Sequence, residues 1–197
     1  MSIPALIAHG GSGPTPDEEK GPRMAAAGRG ADAGWIVLQA GGSTVEAVEA
    51  AIRQMEDDPL LNAGTGSNLQ ADGVCRMDAS LMAGDGRAGA VAQVPGIRNP
   101  IRFARYLLEQ EAHVMLCGPE AMHPALKLGQ DAAIPATPDR IACWQSHLDE
   151  SCRRLDHASM ADTWKQRAPK PGTVGCVALD REGRLAAGTC TGGKAQC

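Results

Sequence analysis

The pattern of apolar positions predicts several helices along the chain. The clearest follows residue 42, where apolar side chains recur at the i, i+3, i+4 and i+7 spacing of an amphipathic helix: Val48, Ala51, Ile52 and Met55. Ser43 and Glu46 stand three residues apart just before this run, which is the pattern of a capping box at a helix start. Further helices are predicted over 22–39, over 101–111 after an Asn-Pro start, over 119–128 and over 139–155.

Short apolar runs bounded by glycine predict strands over 3–9, 77–82, 88–94 and 114–117. A last hairpin is predicted near the end of the sequence. Residues 173–179 are apolar at nearly every position, as in a strand buried on both faces, and 185–191 form the return strand. The turn between them begins with Asp180 and ends with Gly183, as a type I turn prefers. Directly ahead of the hairpin, the polar stretch 156–172 predicts an exposed linker.

Composition narrows the class of protein. A length of 197 residues suits one domain, and a net charge of −4 argues against a nucleic-acid binder or a basic membrane-surface segment. We see neither a signal-peptide pattern nor an apolar run long enough to span a bilayer, so a cytoplasmic protein is expected. The seven cysteines are scattered without CxxC or zinc spacing, which indicates free thiols rather than a disulfide framework or a metal site.

The candidate chemistry lies where the predicted linker meets the buried strand, at Gly172 and Thr173. A threonine hydroxyl becomes a useful nucleophile when threonine is the first residue of a chain, because its own α-amine can take the proton. An internal threonine becomes the first residue if its hydroxyl attacks the preceding carbonyl and the resulting ester is hydrolysed. A preceding glycine favours this attack because it tolerates strained backbone angles. Taken alone, however, the Gly-Thr dipeptide is also what an ordinary strand start looks like.

The surroundings of this dipeptide resemble the plant-type asparaginase/isoaspartyl peptidase family, which consists of N-terminal nucleophile hydrolases of the threonine type. The motifs that carry the resemblance are, in chain order, 9–13, 58–66, 77–82, 172–180 and 189–193. The resemblance implies an α+β fold arranged as a four-layer αββα sandwich. It also implies one domain over 1–197, in which 1–172 corresponds to the first subunit and 173–197 to the start of the second.

The same resemblance implies a function and a set of site residues. The substrates would be L-asparagine and β-aspartyl (isoaspartyl) dipeptides, and processed protomers would form a homodimer. Thr173 would be the nucleophile for self-cleavage after Gly172 and for substrate hydrolysis, with Thr191 orienting it and Asn62 nearby. For Asn62 and Thr191 a purely structural role stays open.

No cofactor is expected to be required. In relatives, backbone carbonyl oxygens of one loop hold a sodium ion, and such oxygens suit a hard cation. The matching residues here are Met55, Glu56, Asp58, Leu61, Ala63 and Thr65.

The resemblance stops after Gly193. Relatives continue with an Arg- and Asp-bearing stretch that binds the substrate's α-carboxylate and α-amine, whereas only Lys-Ala-Gln-Cys follows here. In relatives a later Thr-Gly pair also completes the oxyanion hole. We therefore expect a C-terminally truncated chain of low activity, since each missing oxyanion donor costs a factor on the order of 10²–10³ in rate. Two alternatives stay open: a non-enzymatic homologue that binds a longer partner chain, and a glycosylasparaginase-like amidase, which the lack of a secretion signal disfavours.

Two patterns suggest other functions, which the rest of the sequence does not support. The GxGxxG pattern of 84–89 is not followed by the helix that a dinucleotide site needs. The His-Gly-Gly-Ser run at 9–12 resembles a lipase oxyanion loop, but the sequence has no GxSxG elbow to accompany it.

Overall fold

The computed structural model describes residues 2–11, 15–129, 131–154 and 172–193, with the backbone alone for 147 and 149–154. Its strands are β1 (Ala5–His9), β2 (Met77–Ala83), β3 (Ala88–Val94), β4 (Met115–Cys117), β5 (Val174–Leu179) and β6 (Leu185–Thr191). Its helices are α1 (Asp17–Gln39), α2 (Thr44–Glu56), α3 (Pro100–Gln110), α4 (Met122–Lys127) and α5 (Pro138–Arg154).

The six strands form one sheet in the order β1-β5-β6-β2-β3-β4. All neighbours are antiparallel except β3 and β4, which run parallel. The predicted C-terminal hairpin, β5 and β6, therefore lies inside the sheet and joins β1 to the remaining strands. The residue before β5 is Thr173, so the sheet itself fixes the candidate nucleophile in place.

Three helices cover one face of this sheet. The helix α2 packs on β5 and β6, α3 packs on β2 and β3, and α1 packs mainly on α2. The apolar face of α2 that the periodicity predicts is the buried one, since Val48, Ile52 and Met55 are fully buried. Gly188 in β6 permits the close approach, because a Cβ there would lie 2.8 Å from Val48 Cγ1 and 2.9 Å from Ile52 Cδ1.

The start of α2 is the capping box that the sequence predicts. The Glu46 backbone N–H donates to Ser43 Oγ at 3.2 Å, and the Ser43 backbone N–H donates to Glu46 Oε2 at 2.8 Å. The hydrogen bonds from the Ser43 backbone and hydroxyl hold the pKa of the Glu46 carboxyl below its usual value. Two otherwise unpaired backbone donors are thereby satisfied at this helix end.

The opposite face of the sheet carries exposed apolar side chains. Ile7, Val177 and Met82 are 74%, 47% and 54% exposed and belong to one cross-strand row that also includes Ala187. The α+β class is thus confirmed, with one helix layer on one sheet. A second sheet and a second helix layer, as the four-layer expectation requires, are not formed by the described part of the chain.

Most predicted element positions agree with the structure to within a few residues, with two differences. The helix α1 begins at Asp17 rather than at residue 22, because three acidic residues in its first turn favour the helix N-terminus and Pro22 is accommodated near the start. The predicted helix 119–128 is a 3₁₀ turn, Pro119–Ala121, followed by the short α4. The predicted linker 156–172 lies outside the described residues except for Gly172.

Candidate active site

Thr173 has a backbone conformation that threonine rarely adopts. Its φ is +90°, in the region that favours glycine, although threonine carries a branched Cβ. Such a conformation costs of order 1–3 kcal/mol and persists only where the surroundings enforce it. Here β5 fixes the residue on its C-terminal side and Gly172 lies on its N-terminal side, so the strained torsion is directly adjacent to the Gly172–Thr173 bond.

Gly172 packs directly against Asn62. A Cβ at Gly172 would lie 2.1 Å from Asn62 Nδ2, a distance that no real side chain can adopt. The residue before Thr173 must therefore be glycine for this contact to exist. The carboxamide of Asn62 consequently lies beside the Gly172–Thr173 bond.

Asn62 lies in the loop between α2 and β2, is 2% exposed, and is held by three hydrogen bonds. Its Nδ2 donates to the Gly193 carbonyl at 2.7 Å, and its Oδ1 accepts from the Asn68 backbone N–H at 2.9 Å. The Asn62 backbone carbonyl accepts from the Gly192 backbone N–H at 2.9 Å. These contacts join the loop to the chain directly after β6.

Thr191 is the last residue of β6. Its Oγ1 accepts a hydrogen bond from the Gly193 backbone N–H at 3.1 Å. The register pairs Val174 with Cys190, so Thr173 and Thr191 are neighbours one residue beyond that pair. The structure thus brings together Thr173, Thr191 and Asn62, although they lie 18 to 129 positions apart in the sequence.

Several polar residues at this site were missed by the sequence reasoning. Asn68 Nδ2 donates to the Gly193 carbonyl at 3.1 Å, and Arg140 Nη1 donates to Asn68 Oδ1 at 3.3 Å. Ser67 Oγ is buried beside Gly192 and makes no hydrogen bond within the described residues. Burial, and next the charge of Arg23, lower the pKa of the Arg140 guanidinium. No periodicity or motif marks these residues, because their contacts join distant parts of the sequence.

His9 borders the site at the end of β1. It pairs with Gly175, where a Cβ would lie 2.3 Å from His9 Nε2, so the imidazole lies over this glycine. On the other side of Gly175, Thr189 Oγ1 donates to the Val174 carbonyl at 2.9 Å. A cavity of about 430 Å³ opens beside His9; Gly10, Gly11, Lys20 and Arg23 are among its lining residues.

The predicted sodium ligands lie at the end of α2 and in the tight loop that follows it. The Glu56 carbonyl accepts from the Thr65 backbone N–H at 2.7 Å, and the Asp58 carbonyl accepts from the Leu61 backbone N–H at 3.2 Å. The close approach needs glycine, since a Cβ at Gly64 would lie 2.3 Å from the Glu56 oxygen and one at Gly66 would lie 2.1 Å from the Leu61 oxygen. The loop thus gathers backbone oxygens, each with a second lone pair, which is a donor set that fits a hard cation.

The Glu56 side chain is a buried carboxyl at the base of this loop. Its Oε1 accepts from the Ile101 backbone N–H at 3.0 Å and so caps the N-terminus of α3. The carboxyl also lies beside Cys190 and Asn99. Burial, partly opposed by these neighbours, raises the pKa of Glu56 to about 8. Burial therefore favours the neutral, protonated form of the carboxyl, and that form costs less to bury.

The described residues offer neither a cluster of metal-binding side chains nor a membrane-spanning helix. They contain no group of three or more His, Cys, Asp or Glu side chains that could hold a metal ion. None of their helices is both long and apolar enough to cross a membrane.

Comparisons with known proteins assign the chain to a family. The fold and site define an α+β protein with a glycine–threonine pair, an asparagine and a second threonine gathered at one end of a sheet. A family model described as asparaginase matches residues 2–196, and the chain belongs to that family.

Curated relatives agree with this assignment. A plant-type L-asparaginase of Thermococcus kodakarensis and one of Pyrococcus abyssi are each 40% identical to this chain, over 96% of its length. An isoaspartyl peptidase/L-asparaginase of Rattus norvegicus is 42% identical over 84% of it. The matched region is 63% of each archaeal relative and 48% of the rat protein.

Proposed function

We propose that the protein is a threonine-nucleophile hydrolase that acts on the side-chain amide of L-asparagine and on β-aspartyl dipeptides. Its nucleophile is Thr173, exposed by self-cleavage of the Gly172–Thr173 bond. The relatives' names supply the substrate class, and the positive φ of Thr173 beside the Gly172–Asn62 contact is the observation that carries the proposal.

Self-cleavage requires no other reactant than water. Thr173 Oγ attacks the Gly172 carbonyl carbon, its proton moves to the Thr173 amide nitrogen, and the C–N bond breaks. The product is an ester between Gly172 and the threonine oxygen, together with a free α-amine. Water then hydrolyses the ester to a Gly172 carboxylate and an N-terminal Thr173. Relief of the strained φ at Thr173 favours the first step.

Asn62 is the group that the geometry offers to this step. One of its two amide N–H groups donates to the Gly193 carbonyl, which leaves the second for the oxyanion that develops on Gly172. In our proposal Thr191 holds the 191–193 turn through its bond from the Gly193 N–H, and so keeps the Gly193 carbonyl in reach of Asn62.

Substrate hydrolysis repeats the chemistry with an external carbonyl. The free α-amine of Thr173 takes the hydroxyl proton while Oγ attacks the side-chain carbonyl of the substrate. Ammonia leaves from asparagine, or an amino acid leaves from a β-aspartyl dipeptide. Water then hydrolyses the aspartyl ester on Thr173 and regenerates the enzyme.

Three further properties belong to the proposal. The carbonyl oxygens of Met55, Glu56, Asp58, Leu61, Ala63 and Thr65 hold a structural sodium ion. Processed protomers associate as a dimer, which sedimentation velocity would detect. The protein works in the cytoplasm, which cell fractionation would test.

Intact-mass spectrometry of the purified chain tests the proposal. We expect two species that divide between Gly172 and Thr173, and release of ammonia from L-asparagine by the cleaved form. Thr173→Ala should remain one uncut chain, whereas Thr173→Ser keeps a hydroxyl and should still be cleaved, more slowly. Equal cleavage in wild type and Thr173→Ala would refute Thr173 as the nucleophile.

A second candidate function is a non-enzymatic partner chain, favoured by the exposed apolar side chains of the sheet face that holds Ile7, Val177 and Met82. This candidate predicts an uncut wild-type chain that forms a defined complex with a longer asparaginase homologue. Light scattering of the mixed proteins would measure its mass, and a cleaved, active wild-type chain would exclude it.

A further inference from the structure

Asn68 occupies a central position behind the candidate active site. It is 4% exposed, and its side chain has an identified partner for each polar atom. Nδ2 donates to the Gly193 carbonyl, which also accepts from Asn62 Nδ2, and Oδ1 accepts from Arg140 Nη1. Asn68 and Asn62 therefore hold the same carbonyl oxygen from two sides.

Arg140 fixes which way the Asn68 amide points. A guanidinium can only donate, so the atom of Asn68 that faces it must be the oxygen. The NH₂ group must then face the Gly193 carbonyl, which is an acceptor. Without Arg140 this preference is weaker, because the amide could rotate and turn its oxygen toward the same carbonyl.

The contact matters because of what Gly193 touches. Its carbonyl binds Asn62 Nδ2, and its N–H binds Thr191 Oγ1. Asn62 in turn packs on Gly172. A shift of Gly193 would consequently weaken the contacts of both Asn62 and Thr191, the two candidate residues beside the Gly172–Thr173 bond.

We propose that Asn68 is a positioning residue for the reaction at Thr173 and that Arg140, on α5, sets its orientation. The proposal rests on the proposed function for its kinetic part, and on the contacts alone for its structural part. The route runs from Arg140 to Asn68, to the Gly193 carbonyl, and from there to Asn62.

Asn68→Asp is the sharpest test, because aspartate has nearly the same shape and still accepts from Arg140. It cannot donate to the Gly193 carbonyl and would repel it. Displacements of about 1 Å at a reacting site can cost on the order of 10²-fold, so we expect self-cleavage to slow by roughly tenfold to a hundredfold. Gln54→Glu is the control, since it makes the same amide-to-carboxylate change at an exposed position of α2, away from Gly193.

Arg140→Met provides a second variant in case Asn68→Asp does not fold. It keeps an unbranched apolar stem and removes the guanidinium donors. We expect a slowing of about threefold to tenfold, since the Asn62 bonds remain. Arg140→Lys, which can still donate to Asn68 Oδ1, should recover part of the self-cleavage rate. The KM for asparagine should be unchanged.

Hydrogen exchange measured by mass spectrometry on a peptide covering 188–193 separates the two parts of the proposal. Asn68→Asp should raise exchange at Gly192 and Gly193 relative to Gln54→Glu, whether or not the chain is cleaved. If wild type is cleaved and Asn68→Asp is cleaved equally fast, the positioning role is refuted while the proposed function stands. If no variant is cleaved, wild type included, the proposed function fails, and unchanged exchange in Asn68→Asp would overturn the structural part as well.

Discussion

At the scale of single residues, the Gly172–Asn62 contact makes a prediction that steric reasoning alone supports. Gly172→Ala would place a Cβ 2.1 Å from Asn62 Nδ2, so the carboxamide or the backbone must move. We expect self-cleavage to slow by about tenfold or more, because the Gly172–Thr173 bond and the Asn62 amide no longer align. A time course of intact mass after purification of the uncut chain would measure this rate.

The matched control is Gly28→Ala in α1, where an added Cβ meets nothing within 4 Å. This change should leave cleavage unchanged and raise the free energy of unfolding by about 0.5–1 kcal/mol, as expected for alanine in a helix. Cleavage of Gly172→Ala at the wild-type rate would show that the Asn62 contact has no part in the reaction.

The residues of the candidate site differ in how far the sequence could predict them. Thr173, Thr191 and Asn62 each lie in a short motif that resembles a known family, so their assembly in space could be expected. Asn68 and Arg140 could not be predicted, because their hydrogen bonds cross 125 and 72 positions of sequence. Such pairings depend on the final packing of α5 and β6, which local patterns do not encode.

At the scale of elements, the β5–β6 turn depends on Asp180. Its Oδ1 accepts from the Glu182 and Arg184 backbone N–H groups at 3.0 and 2.9 Å, and its Oδ2 accepts from Arg184 Nε at 2.7 Å. Burial alone would raise the pKa of this carboxyl, but the hydrogen bonds and charge of Arg184 outweigh it and lower the pKa below its usual value. The carboxylate therefore contributes stability above its unfolded pKa, and this contribution is lost as pH falls through the folded pKa.

Asp180→Ala should lower the free energy of unfolding by about 1–2 kcal/mol at neutral pH, because two backbone donors lose their acceptor. The ion pair adds little, since the Arg184 side chain is 66% exposed. Urea unfolding should show the difference shrinking as pH falls below the pKa of aspartate in the unfolded chain, about 3.9. Glu182→Ala, which removes only an exposed partner of Arg184, should change stability by less than about 0.5 kcal/mol at neutral and at acidic pH alike.

The loop after α2 makes the second prediction at this scale. If its backbone oxygens hold sodium, the ion stabilises the folded chain by about 1.4 kcal/mol at a concentration ten times its dissociation constant. Thermal unfolding in sodium chloride and in choline chloride of equal ionic strength would measure this effect. Identical midpoints in the two salts would refute sodium binding.

Gly64→Ala should abolish the sodium effect, because its Cβ would lie 2.3 Å from the Glu56 carbonyl oxygen. Gly86→Ala is the control for backbone strain alone. Gly86 also has a positive φ, of 95°, but an added Cβ there meets no atom within 4 Å. Gly86→Ala should lower the midpoint of thermal unfolding equally in both salts.

Element prediction succeeded where one local signal dominated. The capping box and apolar spacing of α2 survive into the structure because both act within one turn of helix. The start of α1 was misplaced because Pro22 is itself a strong helix-start signal, yet the acidic residues ahead of it extend the helix to Asp17. The strand order could not be predicted, since β1 pairs with a strand about 170 positions later.

At the scale of the whole molecule, one face of the sheet is buried under helices, and described residues on the other face carry exposed apolar side chains. The exposed row includes Ile7, Val177 and Met82 from three different strands, so it is a continuous apolar surface rather than scattered side chains. Surfaces of this kind mark sites of association. When the 197-residue chain is alone in solution, the same apolar face of a second copy is the surface on which it can pack.

We therefore predict that the isolated chain self-associates in a concentration-dependent way and that Val177→Lys weakens this association. The lysine would stand in the centre of the row between Ile7 and Ala187, where its charge must stay solvated. Sedimentation velocity over a range of concentrations should show a smaller average mass for the variant. Ile134→Lys, at an apolar residue 89% exposed elsewhere, should leave the mass distribution unchanged. Equal association of wild type and Val177→Lys would mean that this sheet face takes no part in contacts between copies.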